Sequence, residues 1–362
     1  MKIIYRYILL EMIMPMLFGI AAFTSIFIGT NLLFEMIDYY NRFGVGLLTL
    51  GQLFFLNLPG IIVLTFPMAT LLGVIMAYGR LSSDSEITAL RAGGVSIYRL
   101  IIPALLLGLL VSGLTIVVNE LVVPDANYRA AGIVYQFRYQ RKMPLTQRHL
   151  FLTPFKGGKP DYVLYTELFD GDTGKMQNVV FQDYEDGRPS MLIQAEEAVW
   201  SEESWQFYRG QIFTLKAGER MPAWEFDEYR TVINYSPVQI SKIQKKINDM
   251  DILELREFIQ LKQGQGNNVN RELVKYHQRL SIPFASLIFA LLAAPLAIQP
   301  QRSGGSATGL GLSIIIIFIY YSLMTVGAAL GEQGSISPFC GAWLQNLVFL
   351  FFGSYMLYKM GN

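Results

Sequence analysis

Side chains able to carry out catalysis are few and scattered along this chain of 362 residues. The only histidines are His149 and His277, and the only cysteine is Cys340, so the clustered ligands of a zinc centre are not expected. Beside the apolar runs, the nearest candidate for a pair of general acid and base is Glu120 with Asp125. The pattern therefore predicts no metal site, and it leaves one acid pair for an enzyme hypothesis.

The sequence also lacks a loop for binding nucleotide phosphates. The motif G-x-x-x-x-G-K-[ST] needs a hydroxyl after its lysine, but the Gly-Lys steps at Gly158 and Gly174 are followed by proline and methionine. No G-x-S-x-G motif of a hydrolase nucleophile occurs either. We expect that the chain alone does not hydrolyse ATP and binds no cofactor.

One short charged segment, Gly79–Ser96, has the signals of a helix with defined ends. Ser83 and Glu86 have the S-x-x-E spacing of a capping box, in which each side chain bonds the backbone N–H of the other residue. Gly93 or Gly94 is placed to end the helix in the left-handed conformation. The segment predicts a helix of about two turns.

This short helix, predicted over about residues 83–92, is acidic in its first turn through Asp84 and Glu86, which suits the helix dipole. Glu86 has two interpretations. It either closes the capping box and does nothing else, or it also binds a partner.

Six apolar runs must position this segment. Each is long enough to cross a bilayer core of about 30 Å at about 1.5 Å per helical residue. Three precede a hydrophilic insert and three follow it: Met12–Phe34, Gly51–Tyr78, Leu100–Asn119, Leu280–Gln301, Gly309–Leu330 and Phe339–Tyr358. The pattern predicts an α-helical membrane protein with a 3+3 arrangement of spans. In the fifth span, we expect Gly309, Gly311, Gly327 and Ala328 to permit close helix packing.

The insert, Asp125–Arg279, holds 21 of the 29 Lys and Arg and 21 of the 28 Asp and Glu, so it must lie in water. Segments rich in aromatic and β-branched residues, separated by Asp-Gly turns, predict an extracytoplasmic β-sandwich or jellyroll of five or more antiparallel strands. These segments are Tyr162–Glu167, Val179–Tyr184, Met191–Trp200, Trp205–Leu215 and Trp224–Tyr235. Helical periodicity follows at Asp251–Gln263.

The predicted domain organisation has four parts. Residues 1–124 form three spans with the short helix, residues 125–246 the β domain, residues 247–279 a helical connector, and residues 280–362 three further spans.

Basic residues beside the spans predict the orientation. One side receives Lys2, Arg6, Arg80, Arg91, Arg99, Arg302 and Lys359, whereas the short loops of the other side hold only Arg42. By the positive-inside rule, both termini are cytoplasmic and the β domain lies outside the cytoplasm, which in a bacterium is the periplasm. A net charge of +1 gives no reason to expect a nucleic-acid partner.

Several segments together resemble one family. Phe66–Gly73, Gly79–Leu81 and Asp84–Gly94, supported by Arg6–Leu9 and His277–Ile298, are similar to the LptF/LptG permeases of bacterial lipopolysaccharide export. The order of three spans, β domain and three spans also matches, so the resemblance covers essentially the whole chain.

The resemblance implies a permease subunit of an ABC transporter in the inner membrane. Two such permeases, or two copies of one, sit on a dimer of a separate ATPase, LptB, which uses ATP. Lipopolysaccharide is drawn from the membrane and passed to a bridge of jellyroll proteins of the LptC and LptA kind. In the family the short helix docks on the ATPase; here it would carry Asp84, Glu86, Leu90 and Arg91, with Glu86 as the acid that pairs with an arginine of the ATPase.

The family also places basic side chains near the outer end of the first span to meet lipid phosphates. Only Arg42 could do so here, and Glu35 and Asp38 would repel phosphate unless they are paired. Arg42 could equally be an interfacial anchor.

Two alternatives come from other classes. One is a membrane-anchored scaffold or binding protein, for which a single span would suffice. The other is an intramembrane enzyme of glycolipid metabolism, which would need a catalytic pair such as Glu120 with Asp125.

Overall fold

The computed structural model describes residues 2–139, 146–156, 159–171, 173–185, 188–201, 204–216, 219–220, 224–231, 233, 237, 247–264, 267–298 and 306–361. The chain divides into two compact units. Met1–Ile133 and Asn270–Asn362 form the membrane unit, and Val134–Val269 forms the β unit.

Ten α-helices occur in the described residues: α1 Lys2–Phe27, α2 Leu33–Phe43, α3 Leu47–Ser83, α4 Glu86–Ala92, α5 Ile97–Leu121, α6 Val123–Tyr139, α7 Ile252–Gly264, α8 Asn270–Ile298, α9 Ser306–Glu332 and α10 Pro338–Gly361. A π-helical turn, Ile28–Leu32, joins α1 to α2 without a break. Six segments are long and apolar enough to cross a membrane: Ile3–Phe43, Leu47–Ser83, Ile97–Arg138, Asn270–Ile298, Gly309–Glu332 and Pro338–Met360. The prediction of six spans in a 3+3 arrangement is confirmed.

Helices α3 and α8 form the centre of the membrane unit. In their most apolar windows 67% and 72% of residues are buried, against 11% in the first span, which therefore lies at the periphery of this unit. Small residues allow the close approaches, because helices in lipid associate through packing rather than through a hydrophobic driving force. At Gly108 of α5, an added Cβ would lie 2.9 Å from the Ala290 Cβ of α8.

The small residues predicted in the fifth span have unequal roles. An added Cβ at Gly327 of α9 would lie 2.6 Å from the carbonyl oxygen of Gly341 in α10, so this glycine is required for close packing. At Gly309 the nearest atom, Ile75 Cγ2, would be at 3.1 Å, and Gly311 has no such neighbour within 4 Å. Only part of the predicted set permits close packing within this chain.

The β unit contains nine described strands: β1 Thr146–Leu152, β2 Phe155–Lys156, β3 Lys159–Pro160, β4 Tyr162–Asp170, β5 Lys175–Glu185, β6 Arg188–Ser201, β7 Ser204–Lys216, β8 Glu219–Arg220 and β9 Trp224–Thr231. Seven of them form one antiparallel sheet in the order β1-β4-β5-β6-β7-β8, with β9 also paired to β7, and β2 pairs with β3. The sheet is built mainly from sequential hairpins, which agrees with the predicted antiparallel insert. The long predicted strands are confirmed, while β1 was not anticipated.

One face of this sheet carries the core of the β unit. Alternate residues are buried along β4 and β5, as expected for strands with one covered face. Trp205 and Phe207 of β7 are fully buried and make edge contacts with Phe169 and Phe181. The covered face is therefore aromatic and apolar.

A row of residues, three of which have an unusual backbone conformation, crosses the sheet at one level. His149, Asn178 and Arg209, on β1, β5 and β7, have φ angles of 53°, 50° and 49°, in the left-handed region that non-glycine residues rarely adopt. The strand registers place them at one level with acids on the neighbouring strands β4, β6 and β9, which are Glu167, Glu196 and Asp227. We call these six residues the left-handed row.

Side chains bind one another along this row. Asn178 Nδ2 donates to Glu167 Oε2 at 2.5 Å, and Arg209 Nε donates to Glu196 Oε2 at 2.6 Å. The hydrogen bond that the exposed Arg209 donates to Glu196, together with the negative charge of Glu196, raises the pKa of Arg209 above its ordinary value. The six residues are exposed, so the row lies on the face opposite the core.

The unit boundaries differ from those predicted. Helix α6 continues through Tyr139, and the β unit starts at Val134 rather than at residue 125. Residues 270–279 of the predicted connector instead begin α8 and belong to the membrane unit. The physical reason is that helices extend beyond their apolar runs into water, where charged residues are compatible with helix.

Helix α7 confirms the periodicity predicted over Asp251–Gln263. Its first turn contains the reciprocal bonds of a capping box: Glu254 N donates to Asp251 Oδ1 at 2.8 Å, and Asp251 N donates to Glu254 Oε2 at 3.3 Å.

Candidate functional site

The short helix between the second and third spans is present as α4, Glu86–Ala92, but its start differs from the prediction. Ser83 is the last residue of α3, so it cannot cap a following helix, and the predicted capping box with Glu86 is wrong. Ser85 is the N-cap instead, with a left-handed φ of 60° and no capping bond from its side chain. Asp84 and Ser85 thus form a two-residue connection that turns the chain sharply from α3 into α4.

The end of α4 agrees with the prediction. Gly94 has φ of 83°, and its N–H donates to the carbonyl of Arg91 at 2.9 Å. The N–H of Val95 donates to the carbonyl of Leu90 at 3.1 Å, which completes a Schellman motif. Both ends of this helix therefore have a fixed backbone geometry.

The two faces of α4 have different environments. Ile87 is only 3% exposed and belongs to the core of the membrane unit, and Leu90 packs against that core. Asp84 and Arg91 are exposed, whereas Glu86 is half-buried. The four predicted site residues are thus divided: Leu90 anchors the helix, Asp84 and Arg91 face outward, and Glu86 lies at the border.

Glu86 has a partner within the chain that the sequence did not indicate. Tyr7 of α1 donates its hydroxyl to Glu86 Oε1 at 3.1 Å, across 79 positions of sequence. One feature of the sequence could have suggested this contact. Tyr7 and Glu11 are four residues apart and therefore lie on one face of α1, next to the face that carries the buried Ile8 and Met12.

The end of α3 that leads into α4 contacts three other spans within about one helical turn. The Tyr78 hydroxyl donates to the carbonyl of Leu100 in α5 at 2.6 Å, and Ser82 Oγ donates to the carbonyl of Ile298 in α8 at 3.4 Å. Arg80 forms an ion pair with Glu11 of α1. We call Tyr78, Arg80 and Ser82 the α3 junction.

This arrangement mechanically connects α4 to most of the membrane unit. Ile87 fixes α4 in the same core that contains residues of α1, α3, α5 and α8. A force applied to the exposed face of α4 would therefore reach several spans through short contacts.

Arg42, predicted as a phosphate contact, forms an ion pair within α2. Its Nε lies 2.5 Å from Asp38 Oδ1, and the Arg42 side chain is 72% exposed. Tyr39 donates its hydroxyl to Glu35. Asp38 and Glu35 thus have partners, and the charge of Arg42 is already balanced by Asp38.

The acid pair considered for an enzyme does not come together as a catalytic dyad. Glu120 pairs with Arg279, with Nη1 3.3 Å from Oε1, and Asp125 pairs with Arg129 at 2.9 Å. Among the described residues, no group of three or more His, Cys, Asp or Glu could hold a metal ion.

The six spans, with a β unit between the third and fourth and a short anchored helix between the second and third, define a polytopic membrane protein with an inserted β domain. The sequence profile of the family described as lipopolysaccharide export system permease LptF/LptG matches residues 6–359. The chain belongs to the LptF/LptG family of lipopolysaccharide export permeases and is a multi-pass protein of the inner membrane.

Curated relatives carry the same description. The lipopolysaccharide export system permease protein LptF of Escherichia coli K12 is 22% identical over 306 residues, 82% of this chain and 78% of that protein. LptG of the same strain is 21% identical over 322 residues, covering 88% and 87% of the two chains. LptG of Haemophilus influenzae is 20% identical over 334 residues, covering 89% and 90%. The chain is thus similar to both kinds of permease to nearly the same degree.

Proposed function

We propose that this chain is the transmembrane permease subunit of an ABC transporter that extracts lipopolysaccharide, or a related glycolipid, from the inner membrane. The observation that carries the proposal is α4, a short helix anchored by Ile87 in the core while Asp84 and Arg91 remain exposed. A helix with this division can bind a partner on one face and move the spans through the other.

The partner on the exposed face is a dimer of an LptB-like ATPase, which supplies the hydrolysis that the chain's own motifs do not support. Glu86 pairs with an arginine of that ATPase, and Asp84 and Arg91 add contacts of both signs. Exposed ion pairs contribute about 0–1 kcal/mol each, but a charge partly desolvated at an interface contributes more. Charge of both signs on one helix also favours a single docking register.

The orientation follows from the distribution of Lys and Arg. Both termini and α4 are cytoplasmic, so α4 faces the compartment that contains ATP, and the β unit is periplasmic. A second LptF/LptG-type permease, or a second copy of this chain, completes the transporter.

Transfer then requires a path from the outer leaflet to the β unit. The β unit passes lipid to LptC/LptA-like proteins through strand addition at a sheet edge, for which β1 is suited because, among the described strands, it pairs only with β4. Arg42 contacts a lipid phosphate only if it leaves Asp38 or shares it with a divalent cation.

The proposal is tested by reversing the charge at the docking face. We expect Glu86→Lys to reduce the ATPase recovered with the purified permease by at least tenfold, because a repulsive contact replaces an attractive one. The matched control is Glu332→Lys, because Glu332 is also half-buried but lies far from α4. It is the last residue of α9, whereas Gly309, at the other end of that helix, is the residue that lies close to Ile75 of α3. If Glu86→Lys leaves the recovery and the activity of the ATPase undiminished, Glu86 is not part of the docking site.

A further inference from the structure

The N-terminal half of the first span packs closely against the rest of the membrane unit. Ile8 and Met12 are at most 1% exposed, and Gly19 and Gly73 permit close contact of α1 with α3. Between residue 20 and Phe27 no residue is buried, and burial resumes only at Leu32, Met36 and Tyr39. One of the two attached parts of this span therefore lies near its beginning.

Two polar contacts connect that attached end to the connection between α3 and α4. Tyr7 donates to Glu86 Oε1 at 3.1 Å, and one turn further along α1, Glu11 pairs with Arg80. The Glu11 and Arg80 side chains are 22% and 52% exposed, so the pair is partly shielded from water. Tyr7 contacts the first residue of α4, and Glu11 contacts the last full turn of α3, so α1 spans the connection between these two helices.

The geometry at Glu86 permits two partners at once. A carboxylate has two oxygens and about four acceptor positions, and the Tyr7 hydroxyl uses one position on Oε1. Within the described part of the chain, no hydrogen bond or ion pair reaches Oε2, so this oxygen can accept a bond from a cationic side chain of a partner protein. The tyrosine bond also restricts the rotation of the carboxylate, which lowers the entropy cost of a second bond.

We infer that Tyr7 is a positioning residue of the coupling site, one that orients the Glu86 carboxylate and makes the first span move together with α4. This rests on the proposed function, in which α4 is the helix that docks on the ATPase. The Glu11–Arg80 pair acts as a second connection, so that a displacement of the connection between α3 and α4 is transmitted to α1 at two points. The spans driven by the ATPase are then the first as well as the second and third.

The test uses the complete transporter, with this chain, its partner permease and its ATPase, in liposomes that contain lipopolysaccharide. Two quantities are measured, ATP hydrolysed and lipopolysaccharide released to a soluble acceptor, and their ratio is the coupling efficiency. We expect Tyr7→Phe, which removes only the hydroxyl, to leave complex assembly and ATP hydrolysis within twofold of wild type and to lower the ratio at least threefold. The matched control is Tyr5→Phe, a half-buried tyrosine of the same helix that makes no hydrogen bond with its hydroxyl among the described residues, and it should leave assembly, ATP hydrolysis and the ratio unchanged.

A second set of variants tests the Glu11–Arg80 pair. Glu11→Arg should lower the ratio, and the double variant Glu11→Arg with Arg80→Glu should restore it at least halfway, because the ion pair is re-formed with its charges exchanged. A wild-type ratio in Tyr7→Phe would overturn the inference, and so would a proportional fall of assembly, hydrolysis and release, which would indicate a structural role alone. If the wild-type transporter itself shows no ATP-dependent release, the proposed function fails and the inference falls with it.

Discussion

Glu86 combines a contact within the chain with a half-buried position at the border of the exposed face of α4. A carboxylate held by Tyr7 at 3.1 Å is restricted before any partner arrives. Because Ile87 next to it is buried, the backbone that carries Glu86 is fixed as well. At this scale the site consists of one oriented acid beside one apolar anchor.

The glycine that ends α4 offers a prediction at the same scale. Gly94 has φ of 83°, where a side chain costs about 1–2 kcal/mol, whereas Gly93 has an ordinary φ of −77°. Gly94→Ala should therefore accelerate amide exchange in α4 by about five- to thirtyfold, measured by mass spectrometry in detergent. Gly93→Ala is the matched control, and equal exchange in the two variants would contradict the role given to Gly94.

Among the elements, α3 has the greatest influence on the membrane unit. Its junction residues contact α5, α1 and α8 within about one turn, and Gly73 permits its close contact with α1. Helix α4 is continuous with this element through only two residues. Any change in the angle between α4 and α3 must therefore occur in the backbone of Asp84 and Ser85.

The left-handed row makes a prediction for the β unit. Arg209→Gly and Arg209→Ala both remove the bonds to Glu196, but only glycine adopts φ of 49° without strain. We expect the glycine variant to be more stable than the alanine variant by about 1 kcal/mol. Amide exchange of β7 in the full chain should be about fivefold slower with glycine. Faster exchange with glycine would mean that the left-handed geometry is not retained.

The elements predicted correctly from the sequence have local patterns of residues, whereas most of the features that were missed depend on contacts between residues far apart in the sequence. The spans and the long strands follow from local patterns of apolar residues. Strand β1 was missed because Gln147, Arg148 and His149 interrupt any alternation. The left-handed φ of Arg209 recurs at the same level of β1 and β5, and the Tyr7–Glu86 bond joins residues 79 positions apart, so neither can be inferred from local sequence. The capping box at Ser83 was wrong because α3 continues through that residue.

For the whole molecule, the central question is which compartment each unit faces. With Cys340→Ser as background, we expect Gln194→Cys in the β unit to react with a membrane-impermeant thiol reagent once the outer membrane is permeabilised. Thr88→Cys in α4 should react only after the inner membrane is disrupted. Both Gln194 and Thr88 are exposed, so a difference in labelling reports the compartment rather than burial. Labelling of Thr88→Cys in intact spheroplasts would mean that the true orientation is the reverse of the one proposed.

The central claim is that this chain is the permease of an ATP-driven glycolipid exporter. The most direct test is to purify it from its native membrane in mild detergent and to identify the associated proteins and lipids by mass spectrometry. We predict an ATPase at about one copy per permease subunit, together with bound lipopolysaccharide or a related glycolipid. Recovery of the chain with neither an ATPase nor a glycolipid would contradict the account.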